Sequence, residues 1–157
     1  MSNKLWILGL IGFLMIAGSA QLSNYMHQDR VIIKAVLDGN SAEARRLLEN
    51  GVDVNIRANN GTTALMAAAS RGDMELVKLL IDYGADVNAT CDRGATALID
   101  AVHKDHKDVV RTLLASKADP NIKDGSKATA LSVATQNKNQ DIIDMLREHG
   151  ATVTPAQ

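Results

Sequence analysis

Residues 61–88 read GTTALMAAASRGDMELVKLLIDYGADVN, and much of this pattern returns along the chain at a spacing of 33 residues. Two columns of the 33-residue spacing hold the same amino acid four times: Ala35, Ala68, Ala101 and Ala134 in one, and Leu47, Leu80, Leu113 and Leu146 in the other. Such a fixed period indicates a solenoid, in which each unit buries its apolar face only against its neighbours.

Each unit is predicted to contain two helices. A threonine precedes each Ala- and Leu-rich run, where its hydroxyl can accept a hydrogen bond from an amide at the start of the first helix. These threonines are Thr63, Thr96 and Thr129. In the second helix, apolar residues at i, i+3 and i+4, such as Val77, Leu80 and Ile81, form one buried stripe. A glycine then follows at Gly51, Gly84 and Gly150, where the backbone must turn left-handed.

Together, residues 61–69, Gly72, residues 76–80 and residues 84–88 resemble the ankyrin repeat. The resemblance extends over about four units, from Asp29 to Val153. It implies an all-α solenoid of about four stacked helix-turn-helix units with hairpin loops. The expected unit limits are about 29–57, 58–90, 91–123 and 124–153, followed by a tail at 154–157.

The sequence departs from the ankyrin pattern at two kinds of position. Alanine replaces the usual proline after each capping threonine, and the usual histidine two residues further on is replaced by Met66, Ile99 and Ser132. Asp105, Lys117 and Lys138 stand in glycine columns, and a left-handed backbone there costs about 1 kcal/mol each. The C-terminal half is therefore predicted to be the less stable half. Charged residues replace apolar ones at both ends, Glu43 in the first unit and Arg147 in the last, as terminal caps require.

The N-terminus is predicted to be a secretory signal peptide over residues 1–20. Lys4 precedes an apolar stretch of 13 residues, Leu5 to Ala17, which is short for a membrane-spanning helix, and the small residues 18–20 follow. Cleavage after Ala20 is preferred, and cleavage after Ser19 also satisfies the small-residue rule. An uncleaved segment would instead be a thin membrane anchor and the only membrane contact. The folded part, joined through a linker at 21–28, is expected in the periplasm or secreted, or else anchored to the inner membrane.

The composition narrows the classes of partner and site. Basic and acidic residues number 17 and 18, for a net charge of -1, and the two signs are interspersed, so we expect no nucleic-acid partner. Cys91 is the only cysteine, which excludes an internal disulfide and a multi-cysteine zinc site. Two interpretations of Cys91 remain, a small loop residue or an exposed thiol that pairs with a second chain.

Enzymatic motifs are missing from the sequence, so we expect neither catalysis nor a cofactor. It has no phosphate-binding glycine loop, no Gly-x-Ser-x-Gly elbow and no His-Glu-x-x-His pair. The best cluster contains Asp100, His103, Asp105 and His106, in which two histidines three residues apart can share a helical face and hold a metal. The competing interpretation is that His106 is the structural histidine that ankyrin repeats commonly carry at the 16th place of a unit.

The resemblance to ankyrin repeats implies a monomeric, protein-binding module with a concave surface of hairpin tips and first helices. The predicted contact residues are Asn59, Asn60, Thr62, Ser70, Arg71, Asp92, Arg93, Ala95, His103, Lys104, Ser126, Ala128, Gln136 and Asn137. Arg71, Arg93, His103 and Lys104 make a mildly basic strip, which favours an acidic patch on the partner. Such a protein suits an accessory or inhibitor of an envelope protein, similar to an immunity partner, or alternatively a secreted effector.

Overall fold

The computed structural model describes residues 31–152, and within that range the chain forms four helix pairs joined by hairpin loops. The helices are α1 (residues 31–37), α2 (Ser41–Glu49), α3 (Ala64–Arg71), α4 (Met74–Asp82), α5 (Ala97–His103), α6 (Lys107–Ala115), α7 (Ala130–Gln136) and α8 (Gln140–Glu148). The predicted all-α repeat solenoid is confirmed. The predicted signal peptide, the linker with His27, and the tail all lie outside the described residues.

The core runs through the whole stack and consists of small and aliphatic side chains. Ala68, Ala101 and Ala134 are fully buried on the first helices, and Leu80, Leu113 and Leu146 are fully buried on the second helices. The first helices α3, α5 and α7 pack more closely on one another than α4, α6 and α8 do, because alanine keeps their axes near each other. This difference curves the stack, and the first helices with their hairpins line its concave side.

The three threonines cap the first helices as predicted. Their hydroxyls accept hydrogen bonds from backbone amides three residues on, at 3.3 Å for Thr63, 3.2 Å for Thr96 and 3.3 Å for Thr129. In the last unit, Ser132 stands in the column of the missing histidine, and its hydroxyl accepts a reciprocal bond of 3.0 Å from the Thr129 amide. A capping box thus replaces part of the network that the sequence lacks.

The left-handed positions are also confirmed, and one more of them appears. Gly51, Gly84 and Gly150 have φ between 83° and 86°. The non-glycine residues Asp105, Lys117 and Lys138 keep the left-handed geometry at φ of 60°, 67° and 56°. Lys127, which the sequence analysis did not single out, has φ 67° in a third column, where the two preceding units have Gly61 and Gly94. The lower stability predicted for the C-terminal half stays a prediction.

An asparagine ladder joins the hairpin of each unit to the next unit. The amide of Asn88 donates to the carbonyl of Lys117 at 3.4 Å, and its oxygen accepts from the Asp119 amide at 2.8 Å. Equivalent pairs of bonds are made by Asn55 and by Asn121. The recurring Val-Asn tract in the sequence therefore has a structural role, which its spacing alone did not reveal.

Replacing Asn88 with Ala should lower the free energy of unfolding by about 1–2 kcal/mol, because two hydrogen bonds between units are lost. The control is Asn50→Ala, since Asn50 is exposed and lies outside the ladder column, and it should change stability by less than about 0.5 kcal/mol. Urea unfolding followed by circular dichroism measures both variants. Equal stability of the two would contradict a stabilising role for the ladder.

The charged residues at the two ends of the array meet water to different extents. Arg147 is exposed, whereas the side chain of Glu43 is 32% exposed and pairs with Arg46 at 2.7 Å. Their counterparts in the interior units, Leu76 and Leu114, are buried. In residues 31–152, no helix combines the length and the apolar character that crossing a membrane would need.

Candidate partner-binding face

The concave face comprises the hairpin tips and the exposed ends of α3, α5 and α7. Most of the predicted contact residues lie there with exposed side chains: Asn59, Asn60, Arg71, Asp92, Arg93, His103, Lys104, Ser126, Gln136 and Asn137. Thr62, Ser70 and Ala128 are half-buried. The inclusion of Ala95 was wrong, because its methyl group is 9% exposed and packs into the core.

The hairpin tips are fixed to one another by backbone hydrogen bonds between units. The amide of Asp92 donates to the carbonyl of Asn60 at 3.1 Å, and the amide of Gly125 donates to the carbonyl of Arg93 at 2.7 Å. These bonds bring neighbouring tips into van der Waals contact at the glycines. A partner therefore meets a continuous row of tips whose spacing is set before binding.

Asp124 organises the last hairpin. Its carboxylate accepts bonds from the Ser126 amide at 2.8 Å, the Ser126 hydroxyl at 2.6 Å and the Ala128 amide at 2.9 Å. Burial alone would raise the pKa of Asp124, but these hydrogen bonds outweigh burial and lower the pKa below its ordinary value. Ser126 is thus held in place by its own loop, and it presents only part of its bonding capacity to a partner.

Side chains from each following unit cover the C-terminal carbonyls of the first helices. Arg71 donates to the carbonyl of Leu37 at 2.7 Å, and Asn137 donates to the carbonyl of Val102 at 3.3 Å. These two predicted contact residues therefore also hold the stack together. Arg93 and Lys104 form no hydrogen bond or ion pair through their side chains within residues 31–152, which leaves them as the cations best placed for a partner.

The proposed metal pair His103 and His106 does not share a helical face. Helix α5 ends at His103, and His106 precedes the first residue of α6 after a turn at Asp105. The Nε2 atom of His106 lies 3.1 Å from the carbonyl oxygen of Ser70 in the preceding unit. His106 therefore has the structural place of the competing interpretation, and the helical-face hypothesis was wrong. Among the described residues, no group of three or more histidine, cysteine, aspartate or glutamate side chains is arranged to hold a metal ion.

Cys91 is 8% exposed and belongs to the hydrophobic core at the base of the second hairpin. Its thiol is therefore not presented to a second chain, and the hypothesis of an exposed, pairing thiol was wrong. The interpretation of Cys91 as a small packed loop residue fits this position. Burial rather than reactivity explains a cysteine at this site.

Asp100 is a feature of the concave face that the list of predicted contact residues omitted. It lies on the inner side of α5 in the column of Ala67 and Val133, both of which are buried. Burial raises the pKa of the Asp100 carboxyl above 3.8, although the charges of Arg93, His103 and Lys104 partly offset this effect. The sequence signal was an acidic residue in a column that holds alanine and valine in the neighbouring units.

Comparisons with known proteins agree with this architecture. A family model described as ankyrin repeats (3 copies) matches residues 32–124. The chain is 42% identical over 48 residues to rat ankyrin repeat domain-containing protein 46, which covers 31% of this chain and 21% of the relative. It is 50% identical over 40 residues to an ankyrin repeat protein of Rickettsia prowazekii, covering 26% of this chain and 37% of the relative. The chain thus spans well under half of these relatives.

Proposed function

Since this chain belongs to the ankyrin-repeat family, whose repeats generally serve as protein-binding modules, we propose that it binds an acidic surface of another protein outside the cytoplasm. The proposed role is that of an accessory or inhibitor of an envelope protein, comparable to an immunity partner. The observation that carries the binding role is the concave face, whose tips are locked together while Arg93 and Lys104 remain without intramolecular partners.

A rigid concave face favours binding because little conformational entropy is lost when the partner docks. The tips are joined by hydrogen bonds of 3.1 Å and 2.7 Å, and the first helices behind them are buried in the core. Cations on such a surface accelerate encounter with an acidic partner and select against basic ones. The role outside the cytoplasm is supported by the N-terminal pattern of Lys4, an apolar stretch and small residues 18–20.

Charge reversal tests the binding face. A double variant Arg93→Glu, Lys104→Glu should reduce capture of the partner from native envelope extracts at least about tenfold. The matched control is Arg45→Glu, Lys78→Glu, which makes the same change in net charge on exposed positions of the second helices, away from the concave face. It should leave capture unchanged. Equal capture by the two double variants would refute the concave face as the binding surface.

Cell fractionation of the tagged full-length chain tests the site of action independently. Recovery of a shortened chain from the envelope fraction is the expected result for an accessory protein. Recovery from the medium would favour the alternative of a secreted effector that binds proteins of a target cell. Full-length chain found only in the cytosol would refute export, and it would leave the binding test to be judged on its own result.

A further inference from the structure

Asp100 is the one acidic side chain that the first helices place half-buried on the concave face within residues 31–152. Its neighbours in the same column are Ala67, 5% exposed, and Val133, 2% exposed, so its carboxylate emerges from an apolar floor. In the described part of the chain, this carboxylate accepts no hydrogen bond and forms no ion pair within 4.0 Å.

From this geometry we infer that Asp100 is the central contact of the partner site and receives a basic side chain of the bound protein. This inference rests on the proposed function and makes it more specific. The surrounding charges alternate with Asp100, because Arg93 and Lys104 lie on either side of it on the hairpin and at the end of α5. The partner segment therefore carries a lysine or arginine flanked by acidic residues.

The energetic argument compares the free and bound states. A carboxylate that is partly removed from water and left without a donor disfavours the native state, as the raised pKa of Asp100 indicates. A guanidinium or ammonium group docked over Asp100 supplies the missing donors in a site that has already lost part of its water. Residues that reduce stability without a structural partner are typical of binding sites.

The structural alternative is that Asp100 is held by Arg93, His103 or Lys104 and stabilises the fold. The two hypotheses predict opposite effects of Asp100→Asn, which preserves shape and removes the charge. If Asp100 awaits a partner, this variant unfolds at a higher temperature than the wild type at pH 7. The raised pKa means that the unfolded carboxyl ionises first as pH rises above 3.8, so the penalty on the native state appears above that value. The gain should therefore vanish at pH 3.

Binding is tested with a random 12-residue peptide library displayed on phage and selected against the full-length chain. Peptides that bind the wild type should contain a lysine or arginine between acidic residues. Their dissociation constants should rise at least tenfold for Asp100→Asn. The control is Asp82→Asn, an exposed carboxylate at the end of α4 with no bonding partner within residues 31–152, and this variant should bind the peptides as the wild type does.

A double-mutant cycle completes the test, since replacing the basic residue of a selected peptide with Met should have little further effect once Asp100 is Asn. Peptides that bind wild type and Asp100→Asn equally, but lose affinity for Arg93→Glu, Lys104→Glu, would overturn the role of Asp100 and leave the proposed binding face intact. Selection of no peptide, or of peptides indifferent to all of these variants, would overturn both. A lower unfolding temperature of Asp100→Asn at pH 7 would assign Asp100 to the structural role.

Discussion

Replacing Leu80 with Ala is expected to lower the free energy of unfolding by about 3–5 kcal/mol, the largest effect of any single truncation proposed for this protein. Leu80 is 0% exposed and lies on α4, which packs against both α2 and α6. Because an interior unit is supported from both sides, the surrounding helices cannot collapse into the cavity without separating from a neighbour. Two interfaces are weakened at once in a stack where each unit contacts only its neighbours.

The measurement is guanidinium unfolding followed by circular dichroism, with Leu37→Ala as the matched control. Leu37 is 53% exposed at the end of α1, so the same truncation should cost less than about 1 kcal/mol. A decrease of the m-value in Leu80→Ala would show that part of the array unfolds separately. A loss of stability no greater than that of the control would contradict the continuous core.

The variant Gly61→Ala is expected to cost about 2–4 kcal/mol, for two reasons that add. Gly61 has φ 74°, and an alanine in this left-handed conformation costs about 1 kcal/mol. In addition, its new Cβ atom would stand 2.8 Å from the backbone nitrogen of Asp92 in the next hairpin. Relieving that overlap requires the two hairpins to move apart, which costs about 1–3 kcal/mol more.

Gly84→Ala separates the two causes. Gly84 has a similar φ of 83°, but no atom lies within 4 Å of the place where its Cβ would be built. It should therefore show the backbone cost alone, about 1 kcal/mol. Thermal unfolding of both variants gives the steric part as a difference. Equal effects would contradict the close approach of neighbouring hairpins.

Lys127 occupies the same column as Gly61 and supports the steric argument. It keeps a left-handed φ of 67°, but it stands in the last unit that the structure describes. Gly94 in the preceding unit faces the backbone of Asp124 at 3.1 Å, so a side chain is excluded there. A lysine is accommodated only where no following hairpin is stacked within the described residues.

The sequence was sufficient for the fold because the information is repeated. One period of 33 residues, three capping threonines and columns of alanine and leucine each predict the same helix pair. The concave face was predictable in outline for the same reason, since its residues occupy fixed columns. The roles of Arg71 and Asn137 were not predictable, because their bonds go to carbonyls of another unit and leave no mark on local sequence.

By itself, then, the sequence determined which residues form helices, where those helices begin and which columns enter the core, because these properties depend on local spacing and hydrophobicity. Only the tertiary structure decided that Ala95 and Cys91 are buried, that His106 contacts Ser70, and that Asp100 has no intramolecular partner. Each of these outcomes depends on the distance between atoms of elements far apart in the chain. Stacking sets those distances, and a one-dimensional pattern does not contain them.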